Sequence, residues 1–408
     1  MKNICLILTL VALAAATSAR AAESPRTFGF RSADLVTARQ RLAQGDARIT
    51  VPVAQLREEA DALLQLQPAS VMDKTRVAAS GNRHDYFSQA PYWWPDPTKP
   101  NGLPYLRDDG KTNPESKAGT DSVALARTCN AIETLGLAFW FSGDERYAQK
   151  AATLARVWFL DAATRMTPHL NFAQAIPGIN DGRGIGIIET RHFIALTEGL
   201  ALVAGSPAWP AEDASAMKVW LGEYFHWLTT SKNGLEEARA EGVFAGNNHG
   251  SWYDAQAVNL ALVLGRTDEA KKRLAAVATD RIARQIEPDG RQPLELARTK
   301  SLGYSLFNLE ALLLLARFGE HVGVDLWKFS TTDGRSLRAA VRFLAPYADP
   351  AKAWVQPDVA VAERRRVVPL LAEALRHGED AEVRSLLMKF VGQPVSGEHW
   401  RLTWFDSR

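Results

Sequence analysis

Hydrophobic residues recur every three or four positions along most of the chain, which is the period of an amphipathic α-helix. In one such segment Tyr147, Ala151, Leu154 and Trp158 fall on a single helical face. The strict alternation of hydrophobic and polar residues that would predict strands is rare. The pattern predicts helices over residues 33–46, 52–66, 121–142, 145–160, 188–204, 211–230, 251–265, 267–286, 302–319, 336–346, 361–376 and 380–391.

Short turns join most of these predicted helices, and no repeat is strict enough for a solenoid. At Ser142-Gly143-Asp144 a glycine suited to a helix C-terminus precedes an acid suited to the next N-terminus, which predicts a helical hairpin. Successive hairpins favour an all-α fold, in which antiparallel helix pairs curl into an α/α toroid, an incomplete α/α barrel. Because no linker divides the chain, we predict a single domain over residues 22–408.

Two long irregular stretches interrupt the helices, residues 80–118 and 161–187. Both are rich in proline, glycine, asparagine and aromatic residues. Irregular loops longer than about 15 residues are usually functional or disordered in a compact domain, and the aromatic content argues against disorder. We therefore expect the two stretches to form the walls of a cleft.

Residues 1–21 have the composition of a secretory signal peptide. Lys2 precedes an apolar stretch from Ile4 to Ala16, and Ala19-Arg20-Ala21 supplies small residues for cleavage. The stretch is too short for a lasting membrane span, and no later segment approaches about 20 uninterrupted apolar residues. We therefore expect a periplasmic or secreted protein without a membrane span.

Charge and cysteine content further restrict which partners and covalent cross-links the protein can have. The chain has 48 basic and 46 acidic residues, and loss of Lys2 and Arg20 with the signal peptide leaves 46 of each. A nucleic-acid-binding protein typically shows a basic excess, so we predict no nucleic-acid partner, and any affinity for a polyanion must be local. Cys5 also leaves with the signal peptide, after which Cys129 has no partner for an intrachain disulfide.

The segment Gly246–Tyr253 places Asn247, Asn248 and His249 directly before an amphipathic helix that contains Trp252. Free backbone N–H groups and the helix dipole favour negative charge at such a position, so these side chains are candidates for an anion site. The alternative is that Asn247, Asn248 or Ser251 only caps the helix. One cap needs one side chain, whereas several polar residues stand here in a row.

The segment Leu294–Tyr304 leads into the apolar helix that ends near Phe318. Arg298 and Tyr304 stand close to the start of that helix, so both side chains are candidates to face one cleft. The alternative pairs Arg298 with Glu295 and makes Tyr304 a core aromatic residue.

The first long loop combines basic and aromatic residues, with Arg83 and His84 followed by Tyr92, Trp93 and Trp94. Flat aromatic faces suit sugar rings, and an arginine binds a carboxylate through two parallel hydrogen bonds. The alternative is a proline-stiffened loop whose tryptophans cover the core.

The second long loop contains Arg183 and leads to Glu189 and His192 on the next predicted helix. Its glycines resemble a nucleotide-binding loop only weakly, because no strand precedes them and no Lys-Ser/Thr pair follows. We expect Arg183, Glu189 and His192 to contact substrate.

Several motifs of other enzyme classes are missing from the sequence. There is no His-Glu-x-x-His or Cys-x-x-Cys, which argues against catalytic or structural zinc. There is no Gly-x-Ser-x-Gly nucleophile elbow of a serine hydrolase. We predict that the protein uses no metal and no cofactor.

Together these segments resemble the alginate lyase superfamily, whose members include polymannuronate lyases and lyases of glucuronan-like polymers. The resemblance rests on Asn247-Asn248-His249 before a tryptophan-containing helix and on Leu-Glu-Leu-Ala-Arg followed by Tyr304. It also rests on the Tyr-Trp-Trp-Pro-Asp loop with Asn113-Pro114-Glu115 after it, and it covers roughly residues 80–320. It implies an α/α toroid that cleaves an acidic polysaccharide by β-elimination.

The resemblance also implies roles for individual residues. Asn248 and His249 would lie near the substrate carboxylate, Tyr304 would be the catalytic acid, and Arg298 would support that site. His249 and Tyr304 remain alternatives for the base that removes the C5 proton. The segment Ser305–Asn308 has fewer aromatic and histidine residues than the mannuronan-specific branch, so glucuronan or a mixed polyuronate is also an expected substrate.

Two other functions stay open on the sequence alone. A glycoside hydrolase of the same helical architecture would need two carboxylates about 5–10 Å apart, for which Glu189 with Asp181 or Glu295 are candidates. A non-catalytic periplasmic sugar-binding protein would need only the aromatic loop.

Overall fold

The computed structural model describes residues 24–239, 246–356, 358, 364–390 and 399–402. The predicted signal peptide lies outside the described residues, as do the first three residues of the predicted helix 361–376 and the last residue of the predicted helix 380–391.

Helices dominate the described part of the chain, and four short strands lie in the two long loops. The α-helices are α1 (Ser32–Ala43), α2 (Ala47–Leu64), α3 (Ser122–Ser142), α4 (Glu145–Ala155), α5 (Phe193–Leu202), α6 (Ala211–Thr230), α7 (Lys232–Ala238), α8 (Asn248–Val263), α9 (Thr267–Val277), α10 (Ala283–Gln285), α11 (Pro293–Leu296), α12 (Ser301–Glu320), α13 (Leu337–Leu344), α14 (Val367–Arg376) and α15 (Ala381–Met388). The strands are β1 (Phe87–Gln89), β2 (Trp93–Trp94), β3 (Leu106–Arg107) and β4 (Phe172–Ala175).

The helices pack as the predicted α/α toroid. Helix α3 packs against α4 and α5, and α8 packs against α9 and α12. The predicted hairpin between α3 and α4 is present, because Gly143 ends α3 at a φ of 71° and the Asp144 carboxylate accepts a hydrogen bond from the Arg146 backbone N–H. No helix among the described residues is long and apolar enough to cross a membrane.

A close crossing between α3 and α5 depends on two glycines. A Cβ atom at Gly136 would lie only 2.6 Å from the Gly199 carbonyl oxygen. Side chains at these positions would therefore push the two helices apart. The crossing also fixes the segment immediately before α5, which carries several polar side chains.

The two long loops are joined by strands that the hydrophobic pattern did not predict. Strand β1 from the first loop pairs in parallel with β4 from the second, and β2 pairs antiparallel with β3. The predicted helix 188–204 also differs, since Gly184–His192 forms a 3₁₀ helix and the α-helix begins only at Phe193. These features hold both loops against one face of the toroid.

The hydrophobic core forms one large cluster that extends from Phe28 to Leu402. Aromatic residues of α6 pack within it, with the rings of Trp220 and Tyr224 stacked at 5.9 Å between centroids. The single domain predicted over residues 22–408 is consistent with this continuous core and stays a prediction.

Candidate active site

A cleft of about 750 Å³ opens between the two long loops and the N-terminal ends of α8 and α12. Eight residues predicted as site residues line it: Tyr92, Trp93, Arg183, Glu189, His192, His249, Arg298 and Tyr304. It is also lined by residues that sequence reasoning did not select, among them Gln89, Arg107, Lys117, Gln174, Arg191 and Phe307. The predicted cleft walls are thus present, and both loops contribute to them.

Tyr304 lies in the first turn of α12 and meets the first long loop. Its hydroxyl is 2.7 Å from the hydroxyl of Tyr92. Burial raises the pKa of Tyr304, with the neighbouring Tyr92 adding to the increase, so the phenol is protonated at neutral pH. Tyr304 therefore holds a proton that it can donate into the cleft.

Arg298 lies against Tyr304 and is held in place by an acidic partner. Its guanidinium carbon is 3.9 Å from the centre of the Tyr304 ring, and its Nε and Nη2 donate to the Asp109 carboxylate at 3.1 and 3.0 Å. The alternative that paired Arg298 with Glu295 is not what the structure shows. Asp109 was missed because it lies far from Arg298 along the chain, where no local pattern links the two.

His249 lies in the first turn of α8 and contacts a buried acid. Its Nδ1 is 2.9 Å from Oε1 of Glu237, whose side chain is only 4% exposed. Glu237 belongs to α7, a short helix that the hydrophobic pattern did not predict. This contact orients the imidazole within the cleft that it lines.

The two asparagines before His249 have different roles. The Asn247 side chain accepts a hydrogen bond from the His249 backbone N–H at 3.0 Å, so it caps α8, as the alternative interpretation held. Asn248 is buried, and its backbone N–H and Nδ2 donate to the two Glu295 carboxylate oxygens at 2.7 and 2.8 Å. Burial raises the pKa of Glu295 to about 7. Asn248 therefore lies behind His249 and is not one of the described residues that line the cleft.

Two arginines supply positive charge to the cleft. Among the described residues, neither Arg183 nor Arg191 forms an ion pair with a carboxylate. Arg183 donates to the backbone oxygen and Oε1 of Gln174 at 3.2 and 3.0 Å, and burial lowers its pKa to about 10. Arg191 donates to the Ile188 carbonyl at 3.1 Å, and burial lowers its pKa as well. Glu189 acts on both guanidinium groups electrostatically without forming an ion pair. Burial of a charge is costly unless it is paired, so an anionic ligand in direct contact with these arginines would be favoured.

Gln174 has an unusual backbone conformation at this position. Its φ is 49°, in the left-handed region that residues other than glycine rarely adopt. The turn directs the Gln174 side chain to Arg183 and into the cleft wall. Strain of this kind is often retained at binding sites.

Glu189 and His192 both line the cleft, and burial shifts the pKa of each side chain toward its neutral form. Oε2 of Glu189 accepts hydrogen bonds from the hydroxyls of Tyr86 and Ser88 at 2.8 and 2.6 Å, and burial raises its pKa. Nδ1 of His192 is 3.0 Å from Oδ1 of Asn130. Burial, together with the nearby Arg191 charge, lowers the pKa of His192 to about 3, so the ring is uncharged at neutral pH.

Arg83 and His84 do not reach this cleft, contrary to the prediction. The Arg83 guanidinium donates to the carbonyl oxygens of Met72 and Lys74. His84 lines a separate pocket of about 480 Å³, and its Nδ1 is 2.7 Å from the Arg165 carbonyl oxygen. Both side chains are therefore used to fix the first long loop on the toroid.

Trp94 and Trp252 also lie outside the lining of the cleft, contrary to the prediction. The Trp94 indole N–H donates to the Lys111 carbonyl at 3.1 Å. Trp252 is buried, donates to the Phe307 carbonyl at 3.0 Å and packs on the Phe307 ring with centroids 5.0 Å apart. Trp252 thus supports Phe307, and Phe307 is the aromatic residue that lines the cleft.

The carboxylates available for hydrolysis are not arranged as a pair. Among the described residues that line the cleft, Glu189 is the only acidic one. Asp181 lines a different pocket, and Glu295 is buried with both oxygens bound to Asn248. A glycoside hydrolase needs two carboxylates across the scissile bond, and the described residues that line the cleft do not favour that function.

A helical toroid whose cleft combines a protonated tyrosine, a histidine paired with a buried acid, and several arginines defines a class of protein. These groups are suited to proton transfer on an acidic sugar, as in a polysaccharide lyase. The model of the alginate lyase family matches residues 70–354. The chain belongs to the alginate lyase family, and it is a polysaccharide lyase.

Solved structures of the same family share this fold. An alginate lyase from Bacteroides ovatus is 38% identical over 93% of this chain and 99% of that chain, with a TM-score of 0.87. A histidine-to-alanine variant of alginate lyase A1-III complexed with tetrasaccharide is 16% identical over 80% of this chain and 88% of that chain, with a TM-score of 0.51. The second likeness concerns the fold alone. Comparison with curated proteins finds no match.

Proposed function

We propose that His249 removes the C5 proton of a uronate residue and that Tyr304 protonates the leaving O4. The observation that carries this assignment is the difference between their surroundings. Burial favours the protonated form of Tyr304, whereas the imidazole of His249 lines the cleft and is oriented there by the Glu237 carboxylate 2.9 Å from its Nδ1. Tyr304 is therefore suited to give a proton and His249 to take one.

The elimination follows from this arrangement. The C5–H bond breaks as His249 takes the proton, and its electron pair is first delocalised into the adjacent carboxylate group. That pair then forms the C4=C5 double bond as the C4–O4 bond breaks, and O4 receives the Tyr304 proton, which separates the polymer into two chains. The new double bond lies at the non-reducing end of one product.

Removal of the C5 proton adds negative charge next to a carboxylate, so that group must be neutralised first. Arg183, Arg191 and Arg298 line the cleft and supply positive charge. Preorganised donors at the position where charge develops typically contribute about 3–4 kcal/mol each to lowering a barrier. Arg298 is already paired with Asp109, whereas Arg183 and Arg191 form no ion pair among the described residues, so these two are the stronger candidates to bind the substrate carboxylate.

We propose polymannuronate and glucuronan as substrates of the same site. Mannuronate and glucuronate differ in configuration at C2, and their reacting C4 and C5 centres are the same. The cleft wall after Tyr304 supplies one aromatic side chain among the described residues, Phe307.

The substrate proposal is tested by following ultraviolet absorbance over time with polymannuronate, polyguluronate, glucuronan and hyaluronan as separate substrates. New reducing ends without an absorbance rise would contradict elimination.

Replacement of Tyr304 by phenylalanine tests the acid. We expect Tyr304→Phe to lose at least a hundredfold in turnover on any cleaved polymer, because a general acid contributes about 10²–10⁴-fold. Tyr147→Phe is the matched control, since Tyr147 is a buried tyrosine outside the cleft that donates to Asp61. Tyr304 is not the acid if its variant retains the turnover of the Tyr147→Phe control.

Replacement of Glu237 by glutamine tests the base. We expect Glu237→Gln to lower kcat about 10–100-fold, as the loss of an acid that orients a functional histidine commonly does. The neighbouring Glu236 is exposed and lies 3.9 Å from Lys232, so Glu236→Gln is the matched control. Equal rates for the two glutamine variants, measured by the same absorbance assay, would argue against His249 as the base.

We further propose that residues 1–21 direct export and are removed. The apolar stretch and the small residues at Ala19 and Ala21 support this. Mass determination of the protein from the periplasmic fraction tests it, with a mature N-terminus near residue 22 as the expected result and retention of Met1 as the contrary one.

A further inference from the structure

A buried network of side-chain amides lies behind the cleft, centred on Gln285 at the end of α10. Oε1 of Gln285 accepts hydrogen bonds from the Ser251 hydroxyl at 3.0 Å and from Nδ2 of Asn308 at 2.8 Å. Its Nε2 donates to the Asn247 carbonyl at 3.2 Å. Because both ends of the amide are occupied, its orientation is fixed.

The network continues from Asn308 to a second glutamine. Nδ2 of Asn308 also donates to Oε1 of Gln292 at 2.8 Å, and Nε2 of Gln292 donates to the Ser305 carbonyl at 3.0 Å. Gln285 is 5% exposed, Gln292 1% and Asn308 0%. Buried hydrogen bonds of this kind hold a single geometry, because each broken bond would leave a polar group without a partner.

The two ends of this network lie next to the two groups assigned to proton transfer. The Asn247 carbonyl stands two residues before His249, at the start of α8. The Ser305 carbonyl belongs to the residue after Tyr304, at the start of α12. The chain Asn247, Gln285, Asn308, Gln292, Ser305 therefore connects the base to the acid across two different helices.

We propose that Gln285 is a positioning residue for the elimination, which holds the start of α8 and the start of α12 at the separation that the proton transfers require. The inference rests on the proposed roles of His249 and Tyr304. Gln285 touches no substrate, since it is buried and does not line the cleft. Its effect passes through the backbone of the two helices.

The first test compares Gln285→Leu with Gln256→Leu. Gln256 is a buried glutamine of α8 whose Oε1 accepts from Thr190 and whose Nε2 donates to the Trp252 carbonyl, so it does not connect the two helices. We expect both variants to lower the melting temperature to a similar extent. We expect only Gln285→Leu to lower kcat, by about 10–100-fold with KM changed less than about twofold, because a misplacement of about 1 Å can cost about 100-fold in rate.

The second test uses Gln285→Glu, which keeps the length of the side chain. A protonated carboxyl still donates one hydrogen bond and accepts another, whereas an ionised one faces the Asn247 carbonyl without a donor. Burial raises the pKa of such a carboxyl. We expect kcat of Gln285→Glu to approach the wild-type value at acidic pH and to fall toward the kcat of Gln285→Leu as pH rises. The pH profile of the wild-type enzyme is expected to lack this fall.

Either of two results would overturn the inference: equal kcat values for Gln285→Leu and Gln256→Leu, or a wild-type pH profile for Gln285→Glu. If Gln285→Leu does not fold, the pH profile of Gln285→Glu decides alone. Unchanged kcat in Gln285→Leu together with loss of turnover in Tyr304→Phe would reject the positioning role only. Retained turnover in Tyr304→Phe would reject the proposed function, whatever the Gln285 variants do.

Discussion

At the scale of single residues, Arg191 is the cleft arginine for which a role in substrate binding is most directly testable. Its guanidinium lies 5.3 Å from the centre of the Phe307 ring and has no carboxylate partner among the described residues. We expect Arg191→Met to raise KM for a polyuronate about 10-fold or more, since a charge-assisted contact to the substrate is lost. We expect the melting temperature to change little, because the cost of burying the guanidinium and its electrostatic attraction to Glu189 are lost together.

The matched control for this variant is Arg83→Met. The Arg83 guanidinium donates to backbone carbonyls outside the cleft, so its loss is expected to lower the melting temperature and to leave KM unchanged. Steady-state absorbance kinetics and thermal unfolding of both variants are the measurements. An unchanged KM in Arg191→Met would remove Arg191 from substrate binding.

Local sequence patterns were sufficient to predict those cleft residues that belong to compact motifs. His249, Arg298 and Tyr304 all line the cleft as the motifs indicated. Their partners Glu237 and Asp109 were missed, because a short polar helix and a loop acid carry no pattern of their own. Contacts between distant segments are set by the packing of the whole fold, and sequence spacing alone does not show them.

At the scale of elements, hydrophobic periodicity predicted the positions of the long helices. It did not predict the helix ends that depend on backbone and capping geometry. The predicted helix 302–319 corresponds closely to α12, because its apolar residues face the core on most sides. The predicted helix 251–265 begins three residues earlier, at Asn248, since Asn247 supplies the cap. His249 is therefore inside the first turn of α8 and close to its positive end, a better place to meet an anion than the preceding loop.

The parallel pairing of β1 with β4 shows the same limit of periodicity. Strands of three and four residues are too short to show an alternation. Their pairing nevertheless joins the two long loops into one wall, with Gln89 and Gln174 at its cleft side. The expectation of two cleft walls was therefore right about the loops, and the link between them required the structure.

At the scale of the whole molecule, the N-terminal segment before α1 ties distant helices together. The two oxygens of the buried Glu198 carboxylate in α5 accept hydrogen bonds from the backbone N–H groups of Phe28 and Phe30 at 2.9 and 2.8 Å. Arg31 pairs with Glu320 of α12 and Glu373 of α14. The pKa of Glu373 is well below its usual range, since the nearby arginine charges outweigh burial. The segment thus connects the early helices of the toroid to the late ones.

This connection makes stability depend on pH through Glu198. Burial raises its pKa from 4.5 to about 7, so the folded state binds a proton more tightly than the unfolded state does. The stabilising contribution of that proton is complete below the unfolded pKa and is lost as pH rises through the folded pKa. A pKa difference of this size between the folded and unfolded states corresponds to at most roughly 3 kcal/mol in the free energy of unfolding.

Replacement of Glu198 by glutamine should remove that dependence, because an amide does not titrate. Relative to wild-type, the free energy of unfolding of Glu198→Gln is expected to rise as pH increases from about 4.5 to about 8, by up to roughly 3 kcal/mol. The altered hydrogen bonds would change the free energy of unfolding of the variant by the same amount at every pH, so they would leave this slope unaffected.

The matched control is Glu212→Gln, at an exposed position of α6. Its free energy of unfolding is expected to differ from that of wild-type by a constant amount over the same pH range. Denaturant titrations at several pH values measure both slopes, and a flat or falling difference for Glu198→Gln would show that the carboxyl is already ionised in the folded protein.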